Sequence, residues 1–363
     1  MSILTGRARV LLGAAVLLVA ALVVGFATTR DSKADDHLDV AVLLPNYGSA
    51  RWQQSDAPAF RKAFARAGIA GTVVNAGGDP AVHAQQAVEA MSRGAKVLIL
   101  ANVDADTDAS IAAVAHRHGV KVVYYDSLAL KGGGDYYVSF DNQQVGALQA
   151  KQLVQCMGGA SATPRVLMLD GSPDDNNAGQ FAAGAHSVLD PLAKAGKATV
   201  VAEDSAAGWD PVTGAKVLTK MLDKNGKDVQ GVLAANDGLG GAAIEVLKKA
   251  GLKGVPVTGQ DATLDGVKAV VAGTQCMTVY KSPQIEAGAA MKLTLSLLAG
   301  HGAPSGFVNG RTDDGATDVP SFLGTPVAVT KANVKSLLID SGVYKRSEVC
   351  AGALAQACSA AGI

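Results

Sequence analysis

The 363-residue chain is 48% hydrophobic and 4% aromatic, and its 32 basic and 32 acidic residues give a formal charge of zero. That length supplies cores for two globular domains, while the balanced charge and the lack of any basic block exclude nucleic acid and anionic membrane surfaces as partners. The 42 glycines suit an α/β protein with many tight strand-to-helix turns.

At the start of the chain, Arg7 and Arg9 precede an unbroken apolar run from Val10 to Ala27, followed by polar sequence at Thr28-Thr29-Arg30-Asp31. A basic start, an apolar stretch and small residues near its end are the marks of an export signal. The run is also just long enough to span a bilayer. Residues 1–37 therefore read as a signal peptide or a membrane anchor plus linker, and either places the bulk of the chain outside the cytoplasm.

From there, short apolar runs alternate with amphipathic stretches. The strand candidates are Leu38–Leu44, Thr72–Asn75, Lys96–Ala101, Val120–Tyr125, Arg165–Leu169, Thr199–Ala202, Gln230–Ala235 and Val255–Gly259. Most are continuously apolar, as expected of strands buried on both faces of a parallel sheet. The helical patterns between them include Ala57–Ala67, Ala81–Arg93, Ser110–His118, Asn142–Met157, Pro211–Lys224 and Leu239–Ala250. Regular alternation predicts a doubly wound α/β fold with ligands at the carboxyl ends of the strands. So many units exceed one ordinary sheet, and two similar lobes are the natural division. Pro283–Leu298 reads as a further helix. The proline-interrupted Val319–Val329 reads as an extended segment crossing between lobes.

Cys156, Cys276, Cys350 and Cys358 show no CxxC pair and no metal-ligand spacing, so disulfides are expected in an oxidising compartment. Cys350 with Cys358, eight apart in a small-residue tail, is the favoured pair and leaves Cys156 with Cys276. Buried free thiols are the alternative for the second pair.

Polar residues gather just after the strand candidates: Arg51-Trp52, Asp126, Asp174-Asp175-Asn176-Asn177, Trp209, Asn236-Asp237, Gln260-Asp261 and Lys281. These types match a neutral polyol. Carboxylates, amides and cations pair with vicinal hydroxyls, and an indole face offers a plate to the C–H side of a sugar ring. Asp174 and Asp175 are adjacent on one turn, which favours helix capping over a catalytic pair. Gly238-Leu239-Gly240-Gly241 lacks the spacing of a phosphate cradle and reads as a tight turn at a helix start. His116 and His118 are two apart on a helix and cannot share a metal. With no GxSxG, HExxH or Cys/His arrangement, neither enzyme chemistry nor a cofactor is expected.

The stretches Ser49-Ala50-Arg51-Trp52, Tyr136–Asn142, Gly171–Ala178, Gly259–Ala262, Gly273–Lys281 and Asp318–Ser321, in that order, resemble the periplasmic sugar-binding proteins of ABC importers, in the branch that binds D-xylose. The resemblance covers about residues 38–349. It implies two Rossmann-like lobes joined by a three-crossing hinge. One lobe would hold residues 38–139 and 282–322, the other 140–281 and 323–349, with a C-terminal tail at 350–363. It also implies a monomer that binds D-xylose, or a related aldose such as glucose or galactose, and serves an importer permease. The sugar contacts would fall on Arg51, Asp126, Asp175, Asn177, Trp209, Asn236, Asp261 and Lys281, with Trp52 as a stacking partner. One departure stands out: the family pattern has arginine after the aspartate, where this chain has Ser127. Its loss is expected to shift the sugar preference. The apolar N-terminus leaves a membrane-tethered sugar sensor as the alternative role.

Overall fold

Uninterrupted valine, leucine and isoleucine runs become strands buried on both faces in the computed structural model, which describes residues 37–158 and 163–363. In chain order the strands are β1 (Val40–Leu44), β2 (Gly71–Asn75), β3 (Val97–Leu100), β4 (Lys121–Tyr125), β5 (Tyr136–Phe140), β6 (Arg165–Asp170), β7 (Thr199–Ser205), β8 (Gly231–Ala234), β9 (Thr278–Tyr280), β10 (Gly310–Asp313), β11 (Asp318–Gly324) and β12 (Val327–Val329). The helices are α1 (Ala57–Ala67), α2 (Pro80–Ser92), α3 (Ala105–Arg117), α4 (Asn142–Met157), α5 (Asn176–Lys194), α6 (Pro211–Asn225), α7 (Asp237–Lys249), α8 (Leu264–Ala272), α9 (Pro283–Leu298), α10 (Arg346–Val349) and α11 (Ala355–Ala360).

Two principal sheets result. The first has the order β10-β11-β5-β4-β3-β1-β2 and is parallel except for the β10–β11 pair. The second is the parallel sheet β7-β6-β8, and β9 pairs separately with β12 in antiparallel fashion. Strand pleating explains the continuous apolar runs. Val40, Val42 and Leu44 of β1 enter one core, while Ala41 and Leu43 enter the core on the opposite face. Val166 and Met168 of β6 likewise face away from Leu167 and Leu169. The edge strand β7 is mixed and half-exposed, as an edge should be.

Side chains cap most of the long helices. Asp79, Asp104, Asp141, Asp175, Asp210, Asn236, Thr263 and Ser282 each accept hydrogen bonds from N–H groups of the first turn. The cap at Asp104 starts α3 at Ala105, ahead of the helix expected from Ser110. Val255–Gly259 is not a strand. A lone parallel bridge, Val232 with Val257, is all that forms there, since Pro256 has no N–H to donate and Gly254 turns at φ 74°.

The chain leaves the first sheet between Phe140 and Asn142, returns between Tyr280 and Pro283, and leaves again between Gly324 and Val327. Cys156 is bonded to Cys276, and Cys350 to Cys358. The apolar run Val10–Ala27 lies outside the described residues, and no helix among those described is long and apolar enough to cross a membrane.

Candidate functional site

All the loops that carry the expected polar clusters open onto one cavity of about 440 Å³. It lies between the carboxyl ends of the two principal sheets, the position where α/β folds bind ligands. Arg51, Trp52 and Asp126 line it from the first sheet; Asp175, Asn177, Trp209, Asn236, Asp261 and Lys281 line it from the other side. The nine residues expected to touch ligand are thus brought together around one space.

At its centre is a buried ionic network. Arg51 donates from Nε and Nη2 to Asp56 (2.9 and 2.8 Å), from Nη2 to Glu286 (2.8 Å), and from Nη1 to Asp126. Lys281 donates from Nζ to the same Asp126 oxygen at 2.9 Å. Arg51 Nη1 also lies 3.7 Å from the Asp261 carboxylate. Tyr125 donates to Asp56 at 2.6 Å behind the site. Two cations therefore face four carboxylates.

The imbalance sets the protonation. Burial pushes against the charged form of Asp126, but Arg51 and Lys281 outweigh it and hold the carboxyl down at about 2. Glu286 has no such surplus: burial and the charge on Asp126 raise it to about 8 despite Arg51. Its Oε1 has no hydrogen-bond partner. Burial likewise lifts Asp175 to about 6, against the backbone hydrogen bond from Asn177.

Several site residues serve the fold and the cavity at once. Asp175 caps α5 by accepting from Asn177 N at 3.0 Å, and its second oxygen accepts from the Trp209 indole at 3.0 Å. Asn236 accepts through Oδ1 from Leu239 N at 2.8 Å, leaving its amide donors for the cavity. Asn177 donates to the Asp126 carbonyl at 2.8 Å, and Tyr137 and Ser139 donate to that same carbonyl at 2.6 and 2.8 Å. Those three donors hold Asp126 at φ 60°. Trp209 and Asp261 are also left-handed, at φ 57° and 95°. Such strain in non-glycine residues persists where the surroundings impose it, and here it gathers at the cavity. The Trp209 ring packs on bare backbone, since a Cβ on Gly171 would overlap it. Trp52 is buried, with the Arg51 guanidinium 4.8 Å over its ring.

The structure adds Asn102 and Phe181, which strand-end reasoning left out, and gives a part to Gln260, which it placed at a strand end. Asn102 Oδ1 and Gln260 Oε1 are buried without partners in side chains that line the cavity. A hydroxyl donor would satisfy each. Phe181 lines the wall beneath Lys281, whose Nζ is 5.5 Å from the ring centroid. Asn102 follows β3 as Asp126 follows β4, so its position was available as a signal. Phe181 sits inside α5 and reads as core. Ser127 faces the cavity but is engaged: its Oγ accepts from Asn102 N at 2.9 Å.

The family model described as a periplasmic binding protein domain matches residues 40–302. The chain is 36% identical to the D-xylose-binding periplasmic protein of Escherichia coli K12, over 85% of this chain and 92% of that one. It is 34% identical to the multiple sugar-binding periplasmic receptor ChvE of Rhizobium radiobacter, over 92% and 98%. A carbohydrate transporter solute-binding protein from Chloroflexus aurantiacus, solved with D-glucose, superposes with a TM-score of 0.79 at 30% identity, covering 86% of this chain and 98% of that one.

Proposed function

The chain belongs to the periplasmic binding protein family, and on that premise we propose that it is the extracytoplasmic monosaccharide-binding component of an ABC sugar importer, with D-xylose as its ligand. The observation that carries the proposal is the cavity itself. It brings two cations, several carboxylates and amides, and two indoles onto a space sized for a small ligand. Arg51 and Lys281 donate to hydroxyls that Asp126 and Asp261 also reach. Asn177, Asn236 and Asp175 add acceptors and donors around the ring, and Trp209 and Trp52 supply apolar faces. Arg51, Lys281 and Asp126 pair with one another, so excluding water on closure leaves neither cation bare. The arrangement recognises a neutral polyol and assigns no reaction to it.

In this reading residues 38–139 with 282–322 and residues 140–281 with 323–349 are two lobes. They close about the three chain passages, as two-lobed binding proteins do. The chain acts as a monomer, exported by residues 1–37, and its closed form is what the permease meets. A second reading follows from Ser127. Its small side chain lines the cavity and is tied to the Asn102 loop, and a serine where the family pattern has arginine favours a bulkier sugar such as a hexose. The glucose-bound relative supports that alternative.

Thermal unfolding of the purified protein against a panel of pentoses and hexoses tests both. A sugar that binds the folded state alone stabilises it by roughly 2.7 kcal/mol at a hundredfold excess over Kd. D-xylose is expected to raise Tm most, and Trp209→Ala to abolish the shift. A larger shift with D-glucose replaces the first reading by the second, and no shift with any aldose refutes sugar binding.

A further inference from the structure

Asp261 is held differently from the other carboxylates of the cavity. Asp126 is clasped directly by Arg51 and Lys281, whereas the Asp261 side chain has only longer contacts, to Arg51 Nη1 at 3.7 Å and from Ser49 Oγ at 3.4 Å. Its direction is therefore set by its backbone. That backbone is strained: Asp261 and Ala262 are consecutive non-glycine residues at φ 95° and 47°. A free loop would relax from such a conformation.

The restraints on the loop come from several directions. Asp261 N donates to Val279 O at 2.9 Å, and Ala262 N to Thr278 Oγ1 at 3.1 Å. Thr263 donates to the Asp237 carboxylate from N at 2.8 Å and from Oγ1 at 3.0 Å. The Ala262 carbonyl accepts from the Tyr344 hydroxyl at 2.9 Å. Tyr344 comes from the C-terminal segment. That segment also buries the Ala262 side chain, in one apolar cluster with Val349, Cys350, Cys358 and Ile363. The Cys350–Cys358 bond closes the segment on itself, and Tyr344 N donates to Leu338 O at 2.9 Å.

We infer that residues 344–363 are a positioning element for ligand recognition: Tyr344, acting through the Ala262 carbonyl, fixes the strained loop that aims Asp261 into the cavity, and the Cys350–Cys358 bond keeps the Tyr344 segment seated. The inference rests on the cavity being the sugar site. It gives a ligand-directed role to a tail that the family resemblance leaves outside the two lobes.

The test is calorimetric titration of the full chain with D-xylose and with D-glucose. If Tyr344 fixes the loop, Tyr344→Phe should weaken binding about three- to tenfold, while the loss of this one part-buried hydrogen bond lowers the Tm of the sugar-free protein by only a few degrees. The Cys350→Ser/Cys358→Ser variant is expected to weaken binding in the same way. If it fails to fold, Tyr344→Phe decides alone. A double-mutant cycle separates positioning from general stability. In an Asp261→Ala background Tyr344→Phe should cost no further affinity, because the group it positions is gone. Unchanged affinity in Tyr344→Phe, or an equal loss in both backgrounds, overturns the positioning role and leaves sugar binding intact. Failure of the unsubstituted protein to bind either sugar overturns the sugar reading and this inference with it.

Discussion

Arg51 is the residue around which the site is organised, and its partners predict a pH dependence. Asp56, Asp126 and Glu286 hold its guanidinium charged against the cost of burial. Two cations cannot neutralise four carboxylates, and Glu286 absorbs the excess by sitting at about 8, raised first by its burial and then by Asp126. A carboxyl whose folded value lies above its unfolded one favours folding at low pH, and loses that contribution as pH climbs through the folded value. The window here runs from the unfolded value near ~4.3 to about 8. Glu286→Gln mimics the protonated form. It should match the wild-type Tm near pH 4 and exceed wild-type stability at pH 9 by up to roughly 5 kcal/mol. Thermal melts of both proteins across that range decide it. Parallel curves would mean that Glu286 is ionised throughout.

Among the elements, the α4–α5 pair does most to place the site. These helices meet at glycines: a Cβ on Gly184 would overlap the Gln143 carbonyl, and one on Gly146 would overlap the Phe181 carbonyl. The close approach lets Asn142, at the start of α4, donate to Asn177 in the first turn of α5 at 2.8 Å. Asn177 in turn holds the Asp126 carbonyl. Gly184→Ala must push the helices apart and should destabilise the protein by about 1–3 kcal/mol. It should also weaken sugar binding by displacing Asn177. Denaturant unfolding with a parallel sugar titration would show both. Unchanged stability would mean that the helices separate without cost.

At the scale of the whole molecule, the cavity is closed by contacts between its two sides. A Cβ on Gly48, in the loop after β1, would lie 2.6 Å from the Gly208 carbonyl, in the turn that carries Trp209. Nearby, Asn102 donates to the Asp174 carbonyl at 3.4 Å. Gly48→Val therefore obstructs the seam without touching either core. It should leave the sugar-free Tm nearly unchanged and lower sugar affinity on the order of tenfold, about 1.4 kcal/mol of opposed closure. Small-angle scattering should show less compaction at saturating sugar than in wild type. Equal compaction and equal affinity would show that the seam closes elsewhere.

Much of this was legible in the residue order, because strand and helix formation are local. Val40–Leu44 and residues 166–169 are apolar at every position because both faces are buried, and Asp175, read as a helix cap, announces the start of α5. The polar clusters were legible too, since a strand end in such a fold faces the ligand side. Val255–Gly259 reads as a strand by its apolar run, yet Pro256, with no N–H for a ladder, already argues against it in the sequence. Tertiary structure alone decided that Arg51 meets Glu286 across 235 positions, that Asn102 and Gln260 carry unpartnered acceptors, and that Tyr344 reaches Ala262. Burial and charge balance are sums over neighbours brought together by folding, so the protonation of Glu286 and the strain at Asp261 exist only once the chain is assembled.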